Sequence, residues 1–170
     1  MDEVHLTQYQ CERCDFVLWN PIFAFQSSIL GLYDDSRFPG RCLLVLRSHA
    51  EHFDEIEADT FDQLMREAQI VSRVMRFALN ARRVNLAILG NSQSHVHAHI
   101  VPRFADDPNP GHTPWEDPRV KSPLPDADRL RIEQTLRASL ARELRALSKR
   151  EVQLQSRRGG QVVQRSKDMH

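Results

Sequence analysis

The chain has 170 residues, no net formal charge, 41% apolar and 27% charged content, which suits one globular domain with an appendage. No apolar run nears the ~18 residues of a membrane span, and no apolar stretch follows the acidic start Met1-Asp2-Glu3 as a secretory leader requires. Three cysteines, two of them spaced Cys11-x-x-Cys14, do not make a secreted disulfide framework; in a reducing cytoplasm, the location expected here, the pair suggests metal or redox work.

In chain order, the Cys11–Cys14 turn comes first. Phe16–Trp19 and Ile22–Phe25 read as short strands broken by Asn20-Pro21, and Ser28–Tyr33 reads as another. Asp34–Gly40 carries turn chemistry. Cys42–Leu46 is a continuous apolar run, expected to be a buried strand that holds Cys42 as a core residue. The clearest helix runs from Asp59 or Thr60, either a candidate cap, to Asn80. Its stripe is Phe61, Leu64, Met65, Ala68, Val71, Met75 and Leu79. Val84–Leu89 is the next strand, joined through Gly90 to the histidine strand as a hairpin. Residues 105–125 hold six prolines and must be irregular, with Trp115 their one large aromatic. A second helix is expected from Asp126, with Leu130, Leu136, Leu140, Leu144 and Leu147 near one stripe. The expected division is 1–125 for the catalytic domain, 126–156 for the C-terminal helix and 157–170 for a disordered basic tail. Residues 129–170 carry 11 Lys/Arg against 4 Asp/Glu, an asymmetry read chiefly as a solvated helix face.

The chemistry concentrates in Ser94-His95-Val96-His97-Ala98-His99-Ile100-Val101-Pro102-Arg103. Histidines at i, i+2 and i+4 share one face of a strand, while Val96, Ala98 and Ile100 face a core. A neutral imidazole is a good nucleophile toward phosphorus near neutral pH. The central His97 is flanked on both sides and is the natural nucleophile. Asn91, Ser92 and backbone N–H groups near Gly90 are placed to hold phosphate oxygens. No catalytic metal is required. Cys11 and Cys14 have zinc-knuckle spacing, and His49, His52 and His95 are the supply of further ligands. A closed site of two Cys and two His would be structural zinc and would remove His95 from proton chemistry.

His95-Val96-His97-Ala98-His99-Ile100-Val101-Pro102-Arg103 resembles the signature of the histidine triad (HIT) family, trailing Pro-Arg included. Phe38-Pro39-Gly40-Arg41-Cys42-Leu43-Leu44-Val45-Leu46-Arg47-Ser48-His49 resembles the family's Pro-Gly-His strand and the histidine after it. The resemblance covers roughly residues 11–104. It implies an α+β fold, an antiparallel sheet of about five strands with a long helix packed on it, and a homodimer. It implies hydrolysis or nucleotidyl transfer at the α-phosphate of a nucleotide, on phosphoramidate or dinucleoside polyphosphate substrates. His97 is then the nucleophile and His99 assists at phosphate and leaving group. Asn85, Gly90, Asn91 and Ser92 match phosphate-contacting positions, and Asp34 falls near the ribose-binding position. Cys11, Cys14, His49 and His95 match the zinc ligands of bacterial members, with His52 the alternative to His49. Two positions depart from the pattern: the histidine after Pro-Gly is Arg41, and the glutamine after the loop glycine is Asn91. Both bear on substrate choice; neither removes the nucleophile. The competing reading is a non-catalytic nucleotide-binding or zinc-stabilised scaffold. No membrane partner is expected, and no motif supports a nucleic-acid partner.

Overall fold

The computed structural model describes residues 8–167. Its elements are β1 (Gln8–Gln10), β2 (Val17–Trp19), β3 (Pro21–Ala24), β4 (Ser28–Leu32), β5 (Cys42–Leu46), α1 (Ala58–Ala78), β6 (Arg83–Ala87), β7 (His97–Arg103) and α2 (Asp126–Lys167). Strands β3 to β7 form one antiparallel sheet in the order β3-β4-β5-β7-β6, and β1 pairs with β2 in a separate two-stranded ribbon. The expected α+β architecture is therefore present, with five strands in the main sheet. Among the described residues, no helix is long and apolar enough to cross a membrane.

Strand alternation sorts the sheet into two faces. Leu44, Leu46, Ala98 and Ile100 point to one side, where they meet Leu64, Ala68, Val71, Val74 and Met75 of α1 and Ile132, Leu136 and Leu140 of α2. Val96 joins this core, as the alternation predicts. Cys42 is fully buried in it, and burial pushes its thiol pKa well up, so it serves as packing rather than as a nucleophile. Histidines 97 and 99 take the other face.

Two polar staples hold the helices at fixed positions. Glu67 of α1 is 1% exposed, and its carboxylate accepts hydrogen bonds from Ser27 N (2.9 Å), Ser27 Oγ (2.8 Å), Ser28 Oγ (2.5 Å) and Gln63 Nε2 (3.0 Å). A buried charge is tolerable only when its lone pairs are filled in this way. Arg137 of α2 donates to Ile22 O (2.6 Å) and Pro21 O (3.1 Å) on β3, and also pairs with Glu133. Arg73 and Glu143 then join the two helices at 2.8 Å.

Some details differ from the expectations of the sequence. Helix α1 begins at Ala58 with Glu57 as its N-cap, which makes no side-chain cap bond; Asp59 and Thr60 lie inside the first turn. Helix α2 continues past residue 156, through Gly159-Gly160, to Lys167. The composition from Arg157-Arg158-Gly159-Gly160 onward predicts a disordered end, but the Arg, Gln and Lys residues of this stretch have high intrinsic helix propensity. Residues 168–170 of the expected tail lie outside the described residues. Strand β1 was not anticipated, because Gln8-Tyr9-Gln10 carries a single apolar side chain.

The Glu67 staple yields a stability test. Glu67→Ala strands four buried or half-buried donors and should cost about 4 kcal/mol, at roughly 1 kcal/mol per unmet group. Chemical denaturation should show that loss, and Glu67→Gln, which keeps two of the acceptor contacts, should lose less.

Candidate active site and metal-ligand cluster

The register of the sheet brings the triad together. His97 lies opposite Val45 and His99 opposite Leu43 on β5, with Ala87 of β6 across from His99. The strand proper begins at His97, so His95 stands just before it, where the sequence reading had placed it inside the strand. The chain there is still tied in: Val96 N donates to Ala50 O (2.9 Å) and Leu46 N to Val96 O (3.2 Å). His95 is 1% exposed. It has left the ladder because its ring is used elsewhere.

The β1–β2 ribbon covers part of the triad face. Cys11, Phe16 and Leu18 pack with Ile29 and Val45 in a second small core. The approach is close: a Cβ on Gly31 would lie 2.5 Å from the Leu18 side chain, so β4 has a glycine where the ribbon crosses it. Phe16 stacks on His95 at 5.0 Å between centroids and leans on His97 at 5.4 Å.

The ribbon also delivers two thiols to the histidines. The donor atoms of Cys11, Cys14, His49 and His95 all lie within 4.8 Å of one another. Cys11 Sγ is 3.6 Å from His49 Nδ1 and Cys14 Sγ is 3.5 Å from His95 Nδ1. A sulfur bonded at about 2.3 Å and a nitrogen at about 2.0–2.1 Å to one tetrahedral zinc stand about 3.5–3.6 Å apart. The spacing and the soft donor set therefore fit zinc. Further contacts suit the same use. His95 Nε2 donates to Leu46 O at 2.8 Å, which leaves the Nδ1 lone pair for a metal. Arg13 N donates to Cys11 Sγ at 3.4 Å. His49, and not His52, lies in the cluster; His52 stands at the N-cap position of the short 3-10 turn Phe53–Glu55.

His97 and His99 are 5.1 Å apart, ring to ring, yet differently wired. His97 Nδ1 lies 2.8 Å from the carbonyl of His95. A carbonyl only accepts, so Nδ1 carries the proton and Nε2 keeps its lone pair. His97 lines a cavity of about 420 Å³ with His95, Ile88, Leu89 and Gly90. Gly90 has φ +66°, a left-handed conformation that favours glycine. Asn91 and Ser92 are exposed in the bend beyond it and do not line the cavity.

His99 meets Arg41, whose Nη2 lies 3.3 Å from His99 Nδ1. Arg41 is 5% exposed. Its guanidinium stands 4.2 Å from the Tyr33 ring centroid, and its Nη1 pairs with the fully buried Asp35 at 2.8 Å. Asp35 also takes two hydrogen bonds from the Arg37 side chain at 2.9 Å. Burial works against the Asp35 charge, but Arg37 and then Arg41 hold its carboxyl below the usual range. Trp115 sets its ring edge-on to His99 at 5.6 Å and is 45% exposed. Burial first, then the charge of Arg41 and the neighbouring His97, push the His99 pKa down to about 4.

Two predicted contact residues are engaged away from the cavity beside His97. Asn85 Oδ1 accepts from Arg103 Nη1 at 2.9 Å. Arg103 also bonds Asp107, His112 O (2.9 Å) and Asn109 O (2.7 Å), and so fastens the proline-rich loop against the end of β7. Asn85 and Trp115 line a second cavity of about 720 Å³ between β6 and that loop. Asp34 accepts the N–H of Leu124 at 2.7 Å, just ahead of α2. The acid tied to the triad, through Arg41, is its neighbour Asp35, which the sequence alone does not single out. Its signal was present as Asp35-x-Arg37-x-x-x-Arg41, but a loop rich in turn residues hid it.

The His99 environment sets a pH dependence. Folding lowers its affinity for a proton, from an ordinary pKa of 6.5 to about 4. Its contribution to stability is therefore full above its unfolded pKa and is lost as the pH falls toward the folded value. Melting temperatures followed from neutral pH down to about 4.5 should fall further for wild type than for His99→Gln.

The comparisons with known proteins agree with this geometry. The family model described as HIT domain matches residues 20–106, just over half of the chain. An uncharacterized HIT-like protein of Saccharolobus solfataricus is 36% identical over 76 residues; the match spans 42% of this chain and 55% of that protein. A histidine triad protein from Bradyrhizobium japonicum superposes with a TM-score of 0.65 at 23% identity, covering 71% of this chain and 89% of that one. A zinc-bound histidine triad family protein from Mycobacterium smegmatis gives 0.58 at 22% identity, covering 74% and 86%. The diadenosine triphosphate hydrolase of Plasmodium falciparum gives 0.56 at 15% identity, covering 83% and 87%. With its triad, its sheet and more than half its length matched, the chain belongs to the HIT family.

Proposed function

We propose that this protein is a nucleotide-phosphate hydrolase or nucleotidyl transferase that acts at an α-phosphate through a covalent nucleotidyl-His97 intermediate. The observation that carries the reading is the His97 tautomer. With Nδ1–H given to the His95 carbonyl at 2.8 Å, the lone pair on Nε2 is the available nucleophile. His97 lines a cavity closed on one side by the Gly90 loop, where backbone N–H groups can meet phosphate oxygens. His99, beside it on the same sheet face, serves the phosphate and leaving group. The diadenosine triphosphate hydrolase among the structural neighbours supports a nucleotide substrate.

Cys11, Cys14, His49 and His95 are the residues that would hold zinc, and the zinc-bound neighbour supports that assignment. Bound there, the ion supplies a structural cross-link between the ribbon, the chain after β5 and the start of β7. Catalysis itself is left to the chain's own residues. His95 orients His97, His97 attacks phosphorus, and His99 donates a hydrogen bond.

Rapid-quench mass spectrometry of the protein mixed with a diadenosine polyphosphate or an adenosine phosphoramidate tests the first part. Wild type should carry an adenylyl adduct on His97. His97→Ala should show neither adduct nor turnover while melting within a few degrees of wild type. Near-normal activity in that variant would falsify the reading. For the metal, elemental analysis of the purified protein should find about one zinc per chain. Cys14→Ser should lose the zinc, and chelation should lower the melting temperature of wild type but not of the variant.

A further inference from the structure

Arg41 stands where the family pattern has a histidine, and its surroundings suggest what the exchange does. A guanidinium has five donors, no acceptor and no accessible neutral state. Its Nη2 reaches His99 Nδ1 at 3.3 Å, so that nitrogen must accept, and the single proton of a neutral His99 sits on Nε2. An imidazole at position 41 would not impose this, because either of its nitrogens can donate or accept. The cation is also held in place. Tyr33 lies beneath it at 4.2 Å, Asp35 fixes the other arm at 2.8 Å, and Trp115 lies 5.8 Å away.

Charge balance strengthens the argument. Arg37 and Arg41 share the one carboxylate of Asp35, so the group carries a net positive charge beside His99. The groups facing His99 are His97 on its own strand, Arg41 before β5, Tyr33 after β4 and Trp115 from the loop. None of them is anionic at neutral pH. Nothing around the ring would stabilise an imidazolium, and burial and the adjacent cation oppose one.

We infer that Arg41 is a positioning residue that locks His99 as a neutral hydrogen-bond donor, and that the site thereby favours nucleoside polyphosphates over phosphoramidates. The inference rests on the nucleotidyl-transfer reading and names its substrate class. In the first step the Nε2 lone pair of His97 forms the bond to the α-phosphorus. The bond to the bridging oxygen breaks, and its electron pair leaves with the outgoing phosphate. That oxygen is stable as an anion, so a hydrogen bond from His99 Nε2–H suffices and no proton is transferred. Water then attacks phosphorus, the P–N bond breaks with its pair returning to His97, and the water proton passes to solvent. A phosphoramidate differs at the first step. Its leaving nitrogen must receive a proton as the P–N bond breaks, and a neutral imidazole is too weak an acid to supply it.

The test compares diadenosine triphosphate with adenosine 5′-phosphoramidate in wild type and Arg41→His, alongside nitrogen-15 NMR of the His99 ring. Wild type should favour the triphosphate in kcat/KM by about 100-fold or more, the usual worth of a positioned general acid. Arg41→His should shrink that ratio by about tenfold or more through faster phosphoramidate cleavage. The ring should show the Nε2–H tautomer and stay neutral from about pH 7.5 down to about 5.5, below the ordinary imidazole range. Equal cleavage of both substrates, or a preference for the phosphoramidate, overturns the inference while leaving a His97 adduct and the broader reading intact. So does titration of His99 within that pH window. Absence of an adduct with either substrate overturns the broader reading and the substrate choice with it. If Arg41→His does not fold, the wild-type ratio and the NMR titration still decide.

Discussion

One residue, His95, connects the two halves of this site, because its ring and its backbone do different work. The ring is wedged between Leu46 O and Cys14 Sγ, with Phe16 stacked on its face. The carbonyl, held in place by that anchoring, accepts the proton-bearing nitrogen of His97. A rotation of His95 would therefore disturb the thiol–imidazole cluster and the His97 ring together. Phe16 couples them a second time, since it touches both rings.

The other two histidines show how environment divides labour between chemically identical groups. They are two residues apart on one strand face and in ring contact, yet they hold opposite tautomers. His97 donates at Nδ1 and keeps its lone pair at Nε2; His99 accepts at Nδ1, which leaves its proton on Nε2. The difference comes from what meets each Nδ1: a carbonyl in one case, a guanidinium in the other. A nucleophile and a neighbouring donor are a complementary pair for attack on a phosphoryl centre.

Much of this was legible in the sequence. The triad's period of 2, the apolar residues between its members and the stripe of α1 follow from repeats that chain geometry imposes, and they located the sheet, the helix and the faces. The Cys-x-x-Cys spacing pointed to a metal-ligand cluster because two cysteines so close must find partners from elsewhere. What was not legible depended on long-range contacts. Asp35 and Arg41 sit among turn residues, and their role appears only when His99 and Trp115 arrive from two other segments and Arg41 stacks on the nearby Tyr33. Asn85 was assigned by position, but the nearby Arg103 engages its side chain. Asp34 and Asp35 are adjacent, and no local rule says which one turns inward. The short strand β1 forms because β2 and the sheet lie beneath it, a tertiary effect that overrides weak local preference.

The separation of the cluster's members along the chain has a consequence for biosynthesis. Cys14 and His95 are 81 residues apart, and Cys11 and His49 are 38 apart. At about 5–20 residues per second, the thiols leave the ribosome some 4–16 seconds before their last partner is made. During that interval Cys11 and Cys14 are a vicinal dithiol on an unfinished chain, open to oxidation or to capture by whatever soft metal is at hand. The order of emergence thus sets a window in which any metal the thiols captured would be chosen before His49 and His95 could take part. Closure by His95 then completes the cluster and, through its carbonyl, fixes the His97 ring in the same event.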